Sequence, residues 1–194
     1  MFTNVKYKLF TFVNQKKAMD YLQLATQYLE PKLKGKYIHL DTILPILESL
    51  NSDFEITQIV KSVQERAIYQ VKIGTGKTKI LMWSQMHGNE STTTKGLFDF
   101  FNFLQSDNEI ANRIKNEYTL LCIPMLNPDG AFLYTRENAN TIDLNRDAFN
   151  ATQPEMQVLH SIYKSFQPDY SYNLHDQRTI FGTEGFNLPA TVSF

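Results

Sequence analysis

Apolar positions recur at helical spacing twice near the start of the chain. Tyr21, Leu22, Ala25, Tyr28 and Leu29 form one stripe over 17–30, ended by Pro31 and Gly35. Ile43, Ile46, Leu47 and Leu50 form a second over 41–50, where Asp41 is placed to cap the free amides and Pro45 falls within the tolerated first turn. From residue 56 the period drops to two. ITQIVKS (56–62) and AIYQVKI (67–73) read as strands, and Gly74-Thr75-Gly76 predicts a hairpin turn into KILMWSQM (79–86). This third strand is apolar almost throughout, as a strand covered on both faces would be. A helix follows with Leu97, Phe98, Phe100, Phe101 and Leu104 on one side. Next comes another buried strand, YTLLCIPM (118–125), which ends in the turn Leu126-Asn127-Pro128-Asp129-Gly130. Residues 131–151 read as polar and irregular. Thr152 and Glu155 predict a capping box for a helix carrying Met156, Leu159, Tyr163 and Phe166. Pro168 closes that helix, and DYSYNL (169–174) is the last strand.

Alternation of strands and helices after residue 55, with no repeat or linker, predicts an α/β fold: a mixed twisted β-sheet flanked by helices on both faces. The expected organisation is a helical extension over 1–36 and an α/β domain over 37–194. In a chain of 194 residues, 19 basic side chains against 20 acidic ones leave a formal charge of −1. That balance predicts no nucleic-acid partner and no anionic membrane surface. A single cysteine, Cys122, excludes an intrachain disulfide and any multi-cysteine zinc site, and its place in an apolar strand predicts packing rather than reactivity. The apolar run Leu9–Val13 is too short for a signal peptide, and no run approaches the ~20 apolar residues of a membrane span. A cytoplasmic setting is the expectation.

Ligands of open α/β sheets sit outside the carboxyl ends of the strands. His87 and His175 each follow such an end, so they are placed to converge. Glu90 lies three positions after His87, and a bend at Gly88 lets the imidazole and the carboxylate face one point. Two nitrogens and one oxygen with an open fourth position form the ligand set of a catalytic zinc, whereas structural zinc is closed by four ligands, mostly cysteines. Such a set polarises a carbonyl and lowers the pKa of bound water towards ~7, which points to hydrolysis. Taken alone, H-x-x-E also fits a plain helix-start pair, with Glu90 near the positive end of the dipole.

Between the two histidines lie Asn127-Pro128-Asp129-Gly130, Arg136-Glu137-Asn138 and Asp143-Leu144-Asn145-Arg146. HGNE, NPDG, RENAN, DLNRD and a strand-end His175, in this order, resemble the zinc metallocarboxypeptidase family, the carboxypeptidase A/B superfamily, from about 40 to 185. The resemblance implies that His87, Glu90 and His175 hold zinc and that Arg136 stabilises the oxyanion. It further implies that Asn145 and Arg146 grip the terminal carboxylate of a peptide, and that Asp143 is the carboxylate behind the first histidine. Elementary chemistry suits these roles: a guanidinium binds a carboxylate through two parallel hydrogen bonds. Plainer readings stand beside them. Arg136 and Glu137 fit an exposed loop pair, Asn145 a helix cap with Arg146 solvated, and Asp143 a turn residue bonded to its own backbone.

The family's general-base glutamate comes well after the third ligand. Here only Asp176 and Glu184 follow His175, and neither matches that position. The expectation is therefore the N-terminal part of a longer catalytic domain, acting on a peptide or small amide with a free carboxylate. The rival readings are an amidase on cell-wall peptides or N-acyl amino acids, and a module that captures peptide C-termini without cutting them. Gly74-Thr75-Gly76-Lys77-Thr78 superficially resembles a phosphate loop, but Val71 stands where the first glycine is required. His39 and His160 read as structural or solvated, and Trp83 as core.

Overall fold

The structure, a computed structural model, describes residue 23 and residues 26–176. Tyr21, Leu22 and Ala25 of the first expected stripe, most of the 1–36 extension, and Glu184 lie outside the described residues.

Five strands form one mixed sheet in the order β1-β2-β4-β3-β5. They are β1 Glu55–Lys61, β2 Ala67–Ile73, β3 Thr78–Ser84, β4 Tyr118–Ile123 and β5 Tyr170–Leu174. The pairs β1/β2 and β2/β4 are antiparallel, whereas β3 runs parallel to both of its neighbours. The described helices are α1 Leu40–Leu47, α2 Thr92–Leu104, α3 Glu109–Glu117, α4 Pro128–Leu133, α5 Leu144–Asp147 and α6 Pro154–Phe166.

Alternation along β4 divides the interior into two layers. Leu120 and Cys122 face one core with α1 and α2, where Ile43, Leu47, Phe98 and Phe101 are buried. Leu121 and Ile123 face the other, against Met156, Leu159 and Ile162 of α6. The sheet is thus covered on both faces, as the apolar strands predict. Truncating a core aromatic such as Phe101 typically costs about 3–5 kcal/mol. Burial pushes the Cys122 thiol up to about 12, so it packs as an inert side chain.

The connection from β2 to β3 is not the expected hairpin. β4 lies between the two strands, and Gly74 to Lys77 arch over its first residue. Gly74 has φ +85, and a Cβ there would meet Tyr118 O, while one on Gly76 would meet the backbone of Glu117 and Tyr118. These glycines serve a close backbone crossing, a need that a turn-forming sequence does not distinguish from a hairpin.

Two expected caps also differ. The N-cap of α1 is His39 and makes no side-chain bond, while Pro45 lies inside the helix. Thr152 and Glu155 form no capping box. Asp147 supplies the acceptors instead, taking hydrogen bonds from the amide and hydroxyl of Thr152 and the amide of Gln153, with Pro154 in the first turn of α6. Short helices α4 and α5 occupy part of the segment expected to be irregular. The sequence pattern also passes over α3, because only Ala111 of that helix is buried.

Candidate metal centre

β3 ends where Gln85 takes a left-handed backbone with φ 50. Such a conformation costs on the order of 1–3 kcal/mol in a residue other than glycine, and the Gln85 side chain offsets it. Fully buried, it donates from Nε2 to Ile38 O at 3.0 Å and Gly88 O at 2.8 Å, and accepts from Thr94 Oγ1 at 2.9 Å. The reversal throws His87 off the strand. Beneath it Gly88 lies so close to Gly130 that a Cβ would meet the Gly130 backbone. Asn127 locks the contact, donating to Met86 O at 3.2 Å and accepting from Gly130 N at 2.8 Å. The Asn-Pro-Asp-Gly turn is therefore the seat of the His87 loop.

The second histidine arrives through the sheet. Ser84 of β3 pairs with Leu174 of β5, which sets the two strand ends side by side. Ser84 Oγ is 2.7 Å from Thr93 Oγ1 and 2.9 Å from Thr94 Oγ1, and Thr93 Oγ1 donates to Leu174 O at 3.2 Å. Hydroxyls at the start of α2 thus tie both strand ends together.

His87 Nδ1 lies 2.9 Å from Glu90 Oε1, and His175 Nδ1 lies 2.7 Å from Glu90 Oε2. Donor atoms of all three residues fall within 4.8 Å of one another. His87 and Glu90 are buried, and His175 is half-buried. Behind His87, Nε2 is 3.0 Å from Asp143 Oδ1. With a metal at the centre, a proton kept on Nε2 and directed to that carboxylate would leave the Nδ1 lone pair free to bind it, the tautomer a metal ligand requires. Burial pushes the Glu90 carboxyl upward, but hydrogen bonds from His175 and His87 and their charge outweigh it and hold the group at about 2. Asp143 is likewise held below the usual range: burial opposes ionisation, while hydrogen bonds from Arg136 and His87 favour it. Two imidazole nitrogens and an ionised carboxylate converging on one point fit a divalent cation of the zinc type.

Arg136 is no loop partner of Glu137. Its Nε donates to Asp143 Oδ2 at 2.9 Å, and its Nη1 stands 3.5 Å from Glu90 Oε1. Asp143 also caps α5, accepting from Asn145 N at 2.9 Å, so the turn role and the histidine contact coexist in one carboxylate. Arg146 reaches into solvent, its side chain 75% exposed and its Nε 3.9 Å from Asp143 Oδ2. Asn145 lines a cleft of about 390 Å³ together with Trp83, Met86, His160 and Asn173. His160 Nε2 lies 2.7 Å from Ala148 O, a structural contact. The structure thus gathers His87, Glu90, His175, Asp143 and Arg136 into one contact cluster, with Asn145 and Arg146 on the adjoining helix. The sequence pattern marks none of Gln85, Thr93 and Thr94, and Asp176 drew notice only as a carboxylate that does not match the general base; each acts through a partner far along the chain.

Residues 43–174 match the model of a family described as zinc carboxypeptidase. Carboxypeptidase 2 of Trichophyton rubrum is 25% identical over 100 residues, which are 50% of this chain and 19% of that one. The chain thus spans about a fifth of that relative's length. A metallo-carboxypeptidase from Pseudomonas aeruginosa, solved in complex with (2-guanidinoethylmercapto)succinic acid, superposes with a TM-score of 0.64 at 23% identity, over 70% of this chain and 39% of that one. Carboxypeptidase A from Helicoverpa armigera gives 0.63 at 18% identity, over 90% of this chain and 59% of that one. At such identities the solved structures speak for the fold. The match to the family model reaches further, running through all five strands and taking in the His87 loop, the turn that seats it and the Asp143 cap, and by it this chain belongs to the zinc carboxypeptidase family.

Proposed function

We propose that this chain carries the metal and substrate grip of a zinc-dependent carboxypeptidase that hydrolyses the C-terminal peptide bond of its substrate. The observation that supports this most is the convergence of His87, Glu90 and His175 on one point. These three residues would hold zinc, which supplies Lewis acidity and a lowered pKa for bound water.

The chain's own residues account for orientation and charge. Asp143 fixes the His87 ring and holds Arg136 against the centre. The guanidinium retains N–H groups for a carbonyl oxygen that gains negative charge only in the transition state, a donor whose removal costs about 3–4 kcal/mol. Arg146 is exposed and only weakly held by Asp143, leaving its fork open to the two oxygens of a terminal carboxylate, with the Asn145 amide as a neutral donor beside it. This grip explains why only the last peptide bond would reach the metal. The succinic acid derivative in the Pseudomonas aeruginosa complex belongs to the same chemical class, a ligand with free carboxylates. A small amide with a free carboxylate, such as a cell-wall peptide or an N-acyl amino acid, fits the same grip.

One observation favours a second reading for the chain as it stands, capture of peptide C-termini without turnover. Among the described residues, the other carboxylates bonded to this cluster are both engaged. Asp143 is held by His87 and Arg136, and Asp176 by the first amides of α2. Neither is free to take a proton from water, a role typically worth 10²–10⁴-fold. Blocked dipeptides and muropeptides, each with free and amidated C-termini, separate the readings. Release of the terminal residue from free-carboxylate substrates supports the carboxypeptidase. Tight binding without release supports capture, and indifference to amidation overturns both.

A further inference from the structure

His175 lies one residue beyond the last β3–β5 pair, Ser84 with Leu174, so the sheet itself does not hold it. What fastens it is the residue that follows. The Asp176 carboxylate accepts from Thr92 N at 3.1 Å through Oδ1 and 3.0 Å through Oδ2, and from Thr93 N at 3.4 Å. These are the first amides of α2, which the helix leaves unsatisfied. Ser91 stands at the N-cap but makes no capping bond; its hydroxyl donates to Lys36 O at 2.7 Å. The helix is thus capped from a distant part of the chain, by the neighbour of a metal donor. The Asp176 amide in turn donates to Glu90 Oε2 at 3.3 Å, the oxygen that also faces His175 Nδ1. On the other side of His175, Leu174 O accepts from Thr93 Oγ1 at 3.2 Å.

We propose that Asp176 is a positioning residue that fixes the third metal donor against the first two, an inference that rests on the metal reading above. With the cap in place, the backbone on both sides of His175 is bound to the segment that carries Glu90. A negative charge at the helix N-terminus adds to the hold. Without the cap, residue 175 sits just past the end of a strand that pairs on one side only among the described residues, and zinc binding must order it.

Zinc affinity of the 194-residue chain, measured by competition with a chromophoric chelator, tests this. Asp176→Ala is expected to weaken zinc binding about 10–100-fold, the usual effect of losing a group that orients a ligand. Asp176→Asn keeps a side-chain oxygen that caps about equally well and is expected to stay within about threefold of the parent. Asn108→Ala removes the cap of α3, which accepts from Ile110 N, and serves as the control: stability falls while zinc affinity holds. A parent chain that takes up no zinc sinks the metal reading and this inference with it. A parent that binds zinc, with Asp176→Ala binding equally well or falling only as far as Asn108→Ala, sinks the inference alone. If Asp176→Ala does not fold, Thr93→Val and Asp176→Ser decide. Thr93→Val removes the tie to Leu174 and keeps the cap, so it sets the contribution of the Leu174 side alone. Asp176→Ser, whose shorter hydroxyl reaches at most one of the two amides, is expected to lose zinc affinity beyond it, and parent-like affinity in Asp176→Ser overturns the proposal.

Discussion

The imidazoles of His87 and His175 stand 4.8 Å apart, centroid to centroid, and both turn Nδ1 to the single carboxylate of Glu90. Parallel pairing of β3 with β5 sets this separation. One residue of register slip would move a strand end by ~3.3 Å, more than a tetrahedral site tolerates. The candidate centre is therefore only as well defined as the packing that fixes the register, with α2 on one face of the sheet and α6 on the other.

Zinc binding at this point has a direct consequence. One zinc per chain is expected, and His87→Ala is expected to lose it, because Nδ1 is the nitrogen left facing Glu90. Free zinc at a thousand times its dissociation constant would stabilise the parent by about 4 kcal/mol. Metal analysis after dialysis, with thermal unfolding in the presence and absence of chelator, measures both. Equal metal content in mutant and parent would remove His87 from the site.

Arg146 offers a separable prediction, since its guanidinium reaches into solvent and holds none of the metal donors. Arg146→Ala is expected to leave zinc content unchanged and to weaken binding of peptides with a free C-terminus by about 1.5–3 kcal/mol, the range for a charged hydrogen bond. Amidated peptides should bind parent and mutant alike. Titrating both peptide sets checks this, and the same loss for both would defeat the assignment.

Much of this architecture was legible in the chain. β2 falls on the expected residues, and the apolar character of β3 and β4 announces a sheet covered on both faces. His87, Glu90 and His175 were readable because strand ends and short spacing are local properties. What could not be read is which distant partner satisfies a given group. Gly74-Thr75-Gly76 looks like a hairpin because sequence does not say that β4 will be inserted between β2 and β3. Asp41 and the Thr152/Glu155 pair looked like caps, yet α1 starts without a side-chain cap and Asp147 supplies that of α6. Asp176 could be weighed only against the general-base position, because its partners, the amides of Thr92 and Thr93, precede it by more than 80 residues.

Gly88 should tolerate no side chain. A Cβ would fall 1.9 Å from the Gly130 carbonyl carbon, a clash with backbone that no rotamer relieves. Gly88→Ala must push the His87 loop off its seat, with a stability loss of about 1–3 kcal/mol or more and weakened zinc binding. Denaturant unfolding and chelator competition on the same preparation read both effects. Parent-like values in each would show that the loop and the Asn127 turn are not in contact.

Glu155 carries a prediction about pH. It is fully buried, with Oε2 accepting from Asn138 Nδ2 at 3.3 Å and Oε1 without a hydrogen-bond partner among the described residues. Burial pushes its carboxyl above the ordinary value of 4.5, with Asp129 adding to the rise, and the Asn138 bond with the nearby amides of Glu155 and Val63 only partly opposes this. The folded value therefore lies above the unfolded one. As pH rises past 4.5 the unfolded chain releases this proton first, so the native state binds more protons and its stability falls until the folded group ionises too. Glu155→Gln is neutral throughout and keeps an oxygen for Asn138. It is expected to be more stable than the parent at pH 7 by about 0.5–2 kcal/mol, the range of single stabilising substitutions. The gain should shrink as pH falls towards 4.5 and vanish below it, where both chains carry a neutral side chain. Urea unfolding at a series of pH values traces the difference. A gain that persists unchanged in acid would place its origin in packing rather than in the ionisation of Glu155.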